Sequence, residues 1–159
     1  MPMTVENYTN NNDILEFVKE YSAKDILKSL NFKKWEYYLL FLDKHNCENH
    51  LNLVFKENND ILGLVAINIL NGTGIVYSII LKSKDLFSKI NVIIEDKIKE
   101  LGCSVIEYKI TAGQSELLKE TNSNEFKEHS IRMEKTLKKR RWAECHIIML
   151  MIVLKQKKA

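Results

Sequence analysis

Residues 73 to 111 hold the feature that most restricts the fold: a strand-like run, an amphipathic helical run and a second strand-like run in immediate succession. Thr73 to Leu81 is rich in Ile, Val and Tyr, the residue types that suit a pleated surface. From Asp85 the apolar period lengthens, and Leu86, Ile90, Ile93, Ile94, Ile98 and Leu101 fall along one helical face. Gly102 follows where a helix end favours a residue free to adopt positive φ. Cys103 to Thr111 then alternates again through Val105, Tyr108 and Ile110. Such a βαβ unit crosses over right-handed in nearly all cases, so the strands starting at Thr73 and Cys103 are predicted to be parallel neighbours.

The flanking sequence adds an antiparallel meander before this unit. Leu51, Leu53 and Phe55 alternate against Asn52, Val54 and Lys56, and Asn58-Asn59-Asp60 reads as the turn into a second strand, Ile61 to Leu70. Asn71-Gly72 is a type I′ signal, because both central residues of that turn need positive φ. Upstream, Asp13 and Glu16 have capping-box spacing and open a helix to about Ser22. Ile26, Leu27, Leu30, Trp35, Tyr38, Leu39 and Leu42 predict further helix with a break near Asn31. Residues 1 to 12 bury little and are expected to form a disordered tail. Residues 114 to 141 are polar and read as mostly helical, interrupted at Asn122-Ser123-Asn124. Ile147 to Leu154 reads as a central strand buried on both faces. The fold class is α+β: N-terminal helices, an antiparallel meander and a βαβ unit in one mixed sheet, forming a single domain over residues 13 to 159.

Composition narrows the function classes. A chain of 159 residues with 45% hydrophobic and 28% charged residues matches one globular domain. Three cysteines in no repeating pattern argue against a disulfide framework and place the chain in a reducing cytoplasm. The longest apolar run, Ile147 to Leu154, is too short to cross a membrane as a helix, and the polar start, Met1 to Asn12, is unlike a secretory leader. A net charge of +3 does not by itself imply a nucleic-acid partner. The sharpest cluster lies in Lys127 to Arg141, where seven cations stand against Glu128 and Glu134, ending in Lys138 to Arg141 before Trp142. It reads equally as a phosphate-binding patch or as a solvated helix end.

The order of elements, with the text Leu62-Gly63-Leu64-Val65-Ala66 and Glu100-Leu101-Gly102-Cys103-Ser104-Val105-Ile106-Glu107, resembles the GNAT superfamily of N-acetyltransferases. Met133-Glu134-Lys135 and Trp142 resemble, more loosely, a later segment of the family. The resemblance covers residues 13 to 155 as architecture and 61 to 111 as text. It implies that the two parallel strands part at their C-terminal ends, with acetyl-CoA as co-substrate in the gap and its pyrophosphate at the start of the following helix. The implied cofactor-binding residues are Ile79, Ile80, Leu81, Lys82, Ser83, Lys84, Ser88 and Lys89. The family's phosphate pattern, a Gln or Arg followed by small residues, falls on Lys82, Asp85 and Phe87; the last two are not small.

Acetyl transfer to an amine needs a base for the amine proton and an acid for the departing thiolate. The acid implied by the resemblance is a tyrosine on the helix before the last strands, where Met133 stands here. Tyr77 and Tyr108, on the two strands expected to part, are the alternatives, although strand tyrosines are more often plain core residues. Glu144 and His146 are the candidate bases. His45, Cys47 and His50 offer soft ligands within six residues, but their spacing matches no zinc pattern, and no metal is assigned. Two readings follow: an acetyl-CoA-dependent N-acetyltransferase acting on a small-molecule or peptide amine, or an inactive domain of the same fold that binds a ligand or protein. A homodimer is left open; a membrane or nucleic-acid partner is not expected.

Overall fold

The computed structural model describes residues 2–137 and 147–158, with side chains placed as far as Lys127. Seven strands form one sheet in the order β1-β2-β3-β4-β5-β7-β6: β1 (Thr4–Asn7), β2 (His50–Glu57), β3 (Asp60–Leu70), β4 (Thr73–Leu81), β5 (Val105–Thr111), β6 (Lys127–Leu137) and β7 (Ile147–Lys158). Helices α1 (Asn12–Tyr21), α2 (Ile26–Ser29) and α3 (Trp35–Lys44) precede β2; α4 (Phe87–Glu100) joins β4 to β5, and α5 (Ser115–Ser123) follows β5.

The turns are where the residue types demanded them. Asn58 and Asn59, and Asn71 and Gly72, all have positive φ and close the two hairpins of the meander. Gly102, at φ +81, ends α4: its N–H donates to the Lys99 carbonyl, and that of Cys103 reaches back to Ile98. Asn31, at φ +63, separates α2 from the turn leading to α3. The expected parallel pairing of β4 with β5 is present, and β7 lies between β5 and β6 as a central strand.

Alternation along the strands sends side chains into two cores. Leu53 and Phe55 of β2, Val65 and Ile67 of β3, and Val76 and Ile79 of β4 pack against Phe87, Ile90, Ile94 and Ile98 of α4. Val54, Leu64, Ala66 and Ile80 face the other way, against Ile14, Phe17 and Val18 of α1 and Tyr38, Leu39 and Leu42 of α3. Gly74 is required by contact: a Cβ there would press on the Ile98 side chain.

Three expectations are corrected. The polar start is not a loose tail, because Thr4 to Asn7 pair with Leu53 to Lys56 and so satisfy the outer edge of β2. The cap of α1 is Asn11, whose side chain accepts from the Ile14 N–H at 3.0 Å, rather than Asp13. The segment after Asn124 is strand, not helix: β6 runs antiparallel along β7 from Lys127 to Leu137, its backbone supplying the partners for that central strand. Met133 therefore stands on β6, opposite Met151, and the helix before the last strands is α5, which contains no tyrosine.

The cores hold several buried phenols. Burial raises the phenols of Tyr8, Tyr38 and Tyr108 above the ordinary value, and pushes Tyr77 up to about 12. An unfolded chain releases these protons near pH 10, whereas the native state retains them, so the unfolded state binds fewer protons above that pH. Urea unfolding should show nearly constant stability from pH 7 to 9. Above pH 10 we expect a loss of up to about 1.4 kcal/mol per pH unit for each such tyrosine.

Candidate functional site

Hydrogen bonding between β4 and β5 runs only from Thr73 opposite Val105 to Val76 opposite Tyr108. Beyond it β4 continues along β3 to Leu81, while β5 continues along β7 to Thr111, so the strands part. The parting starts at an irregularity. On β3, Ala66 pairs with Ser78 and Ile67 with Val76, leaving Tyr77 as an extra residue in β4. Such a bulge re-aims side chains. Here Tyr77 joins the core beneath the N-terminal helices, whereas Val76 and Ile79 face α4.

Tyr77 and Tyr108 consequently have different environments. Tyr108 is fully buried; its ring packs on Phe87 and Phe126, and its hydroxyl donates to Asn91 Oδ1 at 2.9 Å. Its proton is committed to the core. Tyr77 lines a cavity of about 360 Å³ between the N-terminal helices and the sheet, and its buried hydroxyl has no hydrogen-bond partner among the described residues. Burial pushes its pKa up to about 12, so it is a neutral phenol at neutral pH and a weaker acid than a free tyrosine.

The gap between the parted strands is spanned by side chains. Gln114 Nε2 donates to the Ile79 carbonyl at 2.8 Å, and Gln114 Oε1 accepts from the Thr111 N–H at 3.2 Å. A strand residue's N–H and C=O point to the same edge, so the Ile79 N–H faces the gap as well. Asp25, just before α2, accepts from Thr111 Oγ1 at 2.9 Å and from the Gly113 N–H at 2.8 Å. Beside this tie runs a groove of about 220 Å³ whose walls include Tyr21, Ile80, Leu81, Lys84 and Gly113.

The groove leads to the start of α4. Ser83 caps a short 3₁₀ turn, Lys84–Leu86, its hydroxyl accepting from the Asp85 N–H, while the Leu86 N–H bonds the Ser83 carbonyl. The N–H groups of Ser83 and Lys84 meet no acceptor among the described residues. Phe87 does not obstruct this entrance, because its ring is fully buried against Tyr108 and Phe126. Asp85 remains an exposed carboxylate there. Lys82 forms an ion pair with Asp60, and Ser88 Oγ accepts from the Asn124 amide at 3.1 Å. Lys84, 3.9 Å from Glu116, is exposed at the groove's end, and Lys89 lines a neighbouring depression with Lys82, Ser83 and Asp85.

Glu144, His146, Trp142 and the Lys138 to Arg141 cluster lie outside the described residues. His45, Cys47 and His50 do approach one another: Cys47 Sγ is 3.8 Å from His50 Nδ1, and the two imidazoles meet edge to face at 6.3 Å. Among the described residues no group of three His, Cys, Asp or Glu side chains is placed to hold a metal ion. His45 is instead stacked on Phe41 and bonded to its carbonyl, as a polar loop residue would be. Asp25, Thr111 and Gln114 carried no signal in the sequence, since Asp25 meets its partners across more than eighty residues.

Neither a family model nor a curated protein sequence matches the chain. Solved structures do. The ribosomal-protein-S18-alanine N-acetyltransferase of Escherichia coli is 10% identical with a TM-score of 0.69, the similarity covering 99% of this chain and 94% of that one. A GNAT family acetyltransferase from Elizabethkingia anophelis, with acetyl-CoA bound, is 12% identical at a TM-score of 0.65 and covers 99% and 98%. The chain has the GNAT fold. A Bacillus subtilis acetyltransferase in complex with CoA, 16% identical at a TM-score of 0.62 over 99% of both chains, shares it. In this GNAT fold the parted strands, the bulge and the groove leading to α4 are parts of one architecture.

The two tyrosines are separable by stability alone. Tyr108→Phe removes the donor to Asn91 and should cost about 1–3 kcal/mol in urea unfolding. Tyr77→Phe removes a buried hydroxyl that has no partner among the described residues and should leave stability unchanged or raised.

Proposed function

We propose that the chain is an acetyl-CoA-dependent N-acetyltransferase that transfers the acetyl group directly to an amine. The observation that carries this reading is the junction at Tyr77. There the parted strands open a groove toward unpaired N–H groups on one side, and a cavity with a protonated phenol lies on the other. Two of the similar structures hold acetyl-CoA or CoA, which supports the choice of co-substrate. Acetyl-CoA supplies an activated acetyl group as its thioester.

The residues present fit such a molecule in outline. The N–H groups of Ser83 and Lys84, with the ammonium groups of Lys84 and Lys89, would hold the pyrophosphate, an arrangement that needs no glycine because the Phe87 ring is turned into the core. Ile80 and Leu81 give the groove an apolar wall for the pantetheine arm. Lys82 contributes less than its position in the pattern implies, since Asp60 already neutralises it. Gln114 must release the Ile79 carbonyl wherever the arm uses that strand edge.

In the reaction the Ile79 N–H polarises the thioester carbonyl as charge develops on its oxygen. The amine nitrogen bonds to the carbonyl carbon, the carbon–sulfur bond breaks, and Tyr77 gives its proton to the leaving sulfur. The amine's proton passes to a base, for which Glu144 and His146 remain the candidates. The free thiols of Cys47 and Cys103 support a reducing cytoplasm as the place of work, and among the described residues no helix is long and apolar enough to cross a membrane.

Calorimetry with acetyl-CoA, followed by a thiol-release assay over a panel of amines and peptide N-termini, tests this reading. Lys84→Ala combined with Lys89→Ala should weaken acetyl-CoA binding roughly tenfold or more, and Lys82→Ala much less. Tyr77→Phe should lower turnover on the order of a hundredfold or more with binding retained, whereas Tyr108→Phe should not. Binding without thiol release from any amine would instead establish the inactive binding domain.

A further inference from the structure

The cavity on the amine side of Tyr77 has a lining that says more about its occupant than the transfer chemistry requires. At about 360 Å³ it has the capacity of a small-ligand site. Leu30 and Phe41 give it an apolar wall from the helices, and His50, Asn68, Tyr77 and Lys109 project polar groups from the strands. Among the described residues no Asp or Glu lines it.

Lys109 supplies the charge. Tyr108 and Ile110, its neighbours in β5, are buried in the core beneath α4, so Lys109 points to the opposite face, toward the helices. Among the described residues its ammonium has no ion-pair partner. The adjacent acid, Asp25, keeps its charge but turns its two oxygens to Thr111 and Gly113, forms no ion pair with Lys109 and does not line the cavity. Glu107, on the same face of β5, has an interaction of its own and does not line the cavity. Asn68 makes no side-chain hydrogen bond among the described residues. His50 has Nδ1 turned to Cys47, which leaves Nε2 for a ligand.

A purely cationic acceptor, such as a polyamine, would meet Lys109 with no carboxylate among the described lining residues to offset it. An acceptor with its own carboxylate would complete the pairing. We infer that the cavity takes a small amine that also bears a carboxylate and an apolar body, an amino-acid-like acceptor whose carboxylate is held by Lys109. For the fate of the amine this rests on the acetyl-transfer reading; for recognition of the carboxylate it does not.

The test titrates the full chain, with and without CoA, with L-leucine and L-phenylalanine, with L-leucinamide, and with isopentylamine, which lacks the carboxylate. The acids should bind more tightly than the amide and the bare amine by roughly tenfold or more. Lys109→Met should abolish that preference and Lys109→Arg should keep it, with Lys109→Gln as the second neutral variant if the Met variant does not fold. Equal binding of acid and amide, no binding of either acid at millimolar concentration, or a preference that survives both neutral variants would overturn the inference. If CoA fails to bind while the acids still do, the transfer reading falls and the carboxylate site stands. If CoA binds and the carboxylate confers no advantage, the reverse holds.

Discussion

The parting of β4 from β5 is the constraint around which the rest of the molecule is arranged. Two parallel strands that stop pairing at Val76 and Tyr108 leave peptide groups at an internal sheet edge, and such groups must find partners. One side chain meets part of the demand: Gln114 spans the gap, bonding the Ile79 carbonyl with its amide nitrogen and the Thr111 N–H with its oxygen. The strands are also held apart mechanically. The extra residue in β4 bends that strand, while β7 keeps β5 straight to Thr111. The opening is thus a product of pairing on both flanks rather than of a missing contact.

The same bulge distributes the chemistry. Before it, β4 alternates so that Gly74 and Val76 meet α4; after it, Ile79 does. Tyr77, the inserted residue, turns toward the N-terminal helices, its hydroxyl without a partner among the described residues. Tyr108 shares the residue type and the neighbouring strand but not the irregularity, and its hydroxyl is absorbed by Asn91. A one-residue change of register separates a phenol that faces a cavity from one bonded within the core.

What could be read from the sequence was what local chemistry decides. Asn58-Asn59, Asn71-Gly72 and Gly102 announce positive φ, and those turns, with the apolar periods between them, fix the meander, the βαβ unit and the parallel pairing. The misreadings have a common cause. Lys127 to Leu137 is polar with no strong period, and it is strand because β7 needs a partner on its outer edge, which no window of residues reveals. Thr4 to Asn7 is ordered for the same reason, against β2. At the site, Tyr77 was visible as a residue type but not as the bulged one, and the start of α4 looked blocked because sequence does not show that the Phe87 ring points inward. The gap's closing contacts join residues from opposite ends of the chain and left no trace in either neighbourhood.

Gly113 illustrates how such a distant contact constrains a single position. Its φ lies outside the left-handed region, so its backbone would accept any residue, yet a Cβ built there would collide with the Asp25 carboxylate. That carboxylate belongs to the helical layer roofing the cavity that Tyr77 lines, while Gly113 belongs to the turn that lines the groove. The two compartments share a fastener one carbon atom too small for alanine. A methyl group at this position would be felt in both rooms at once, although it touches neither the phenol nor the lysine.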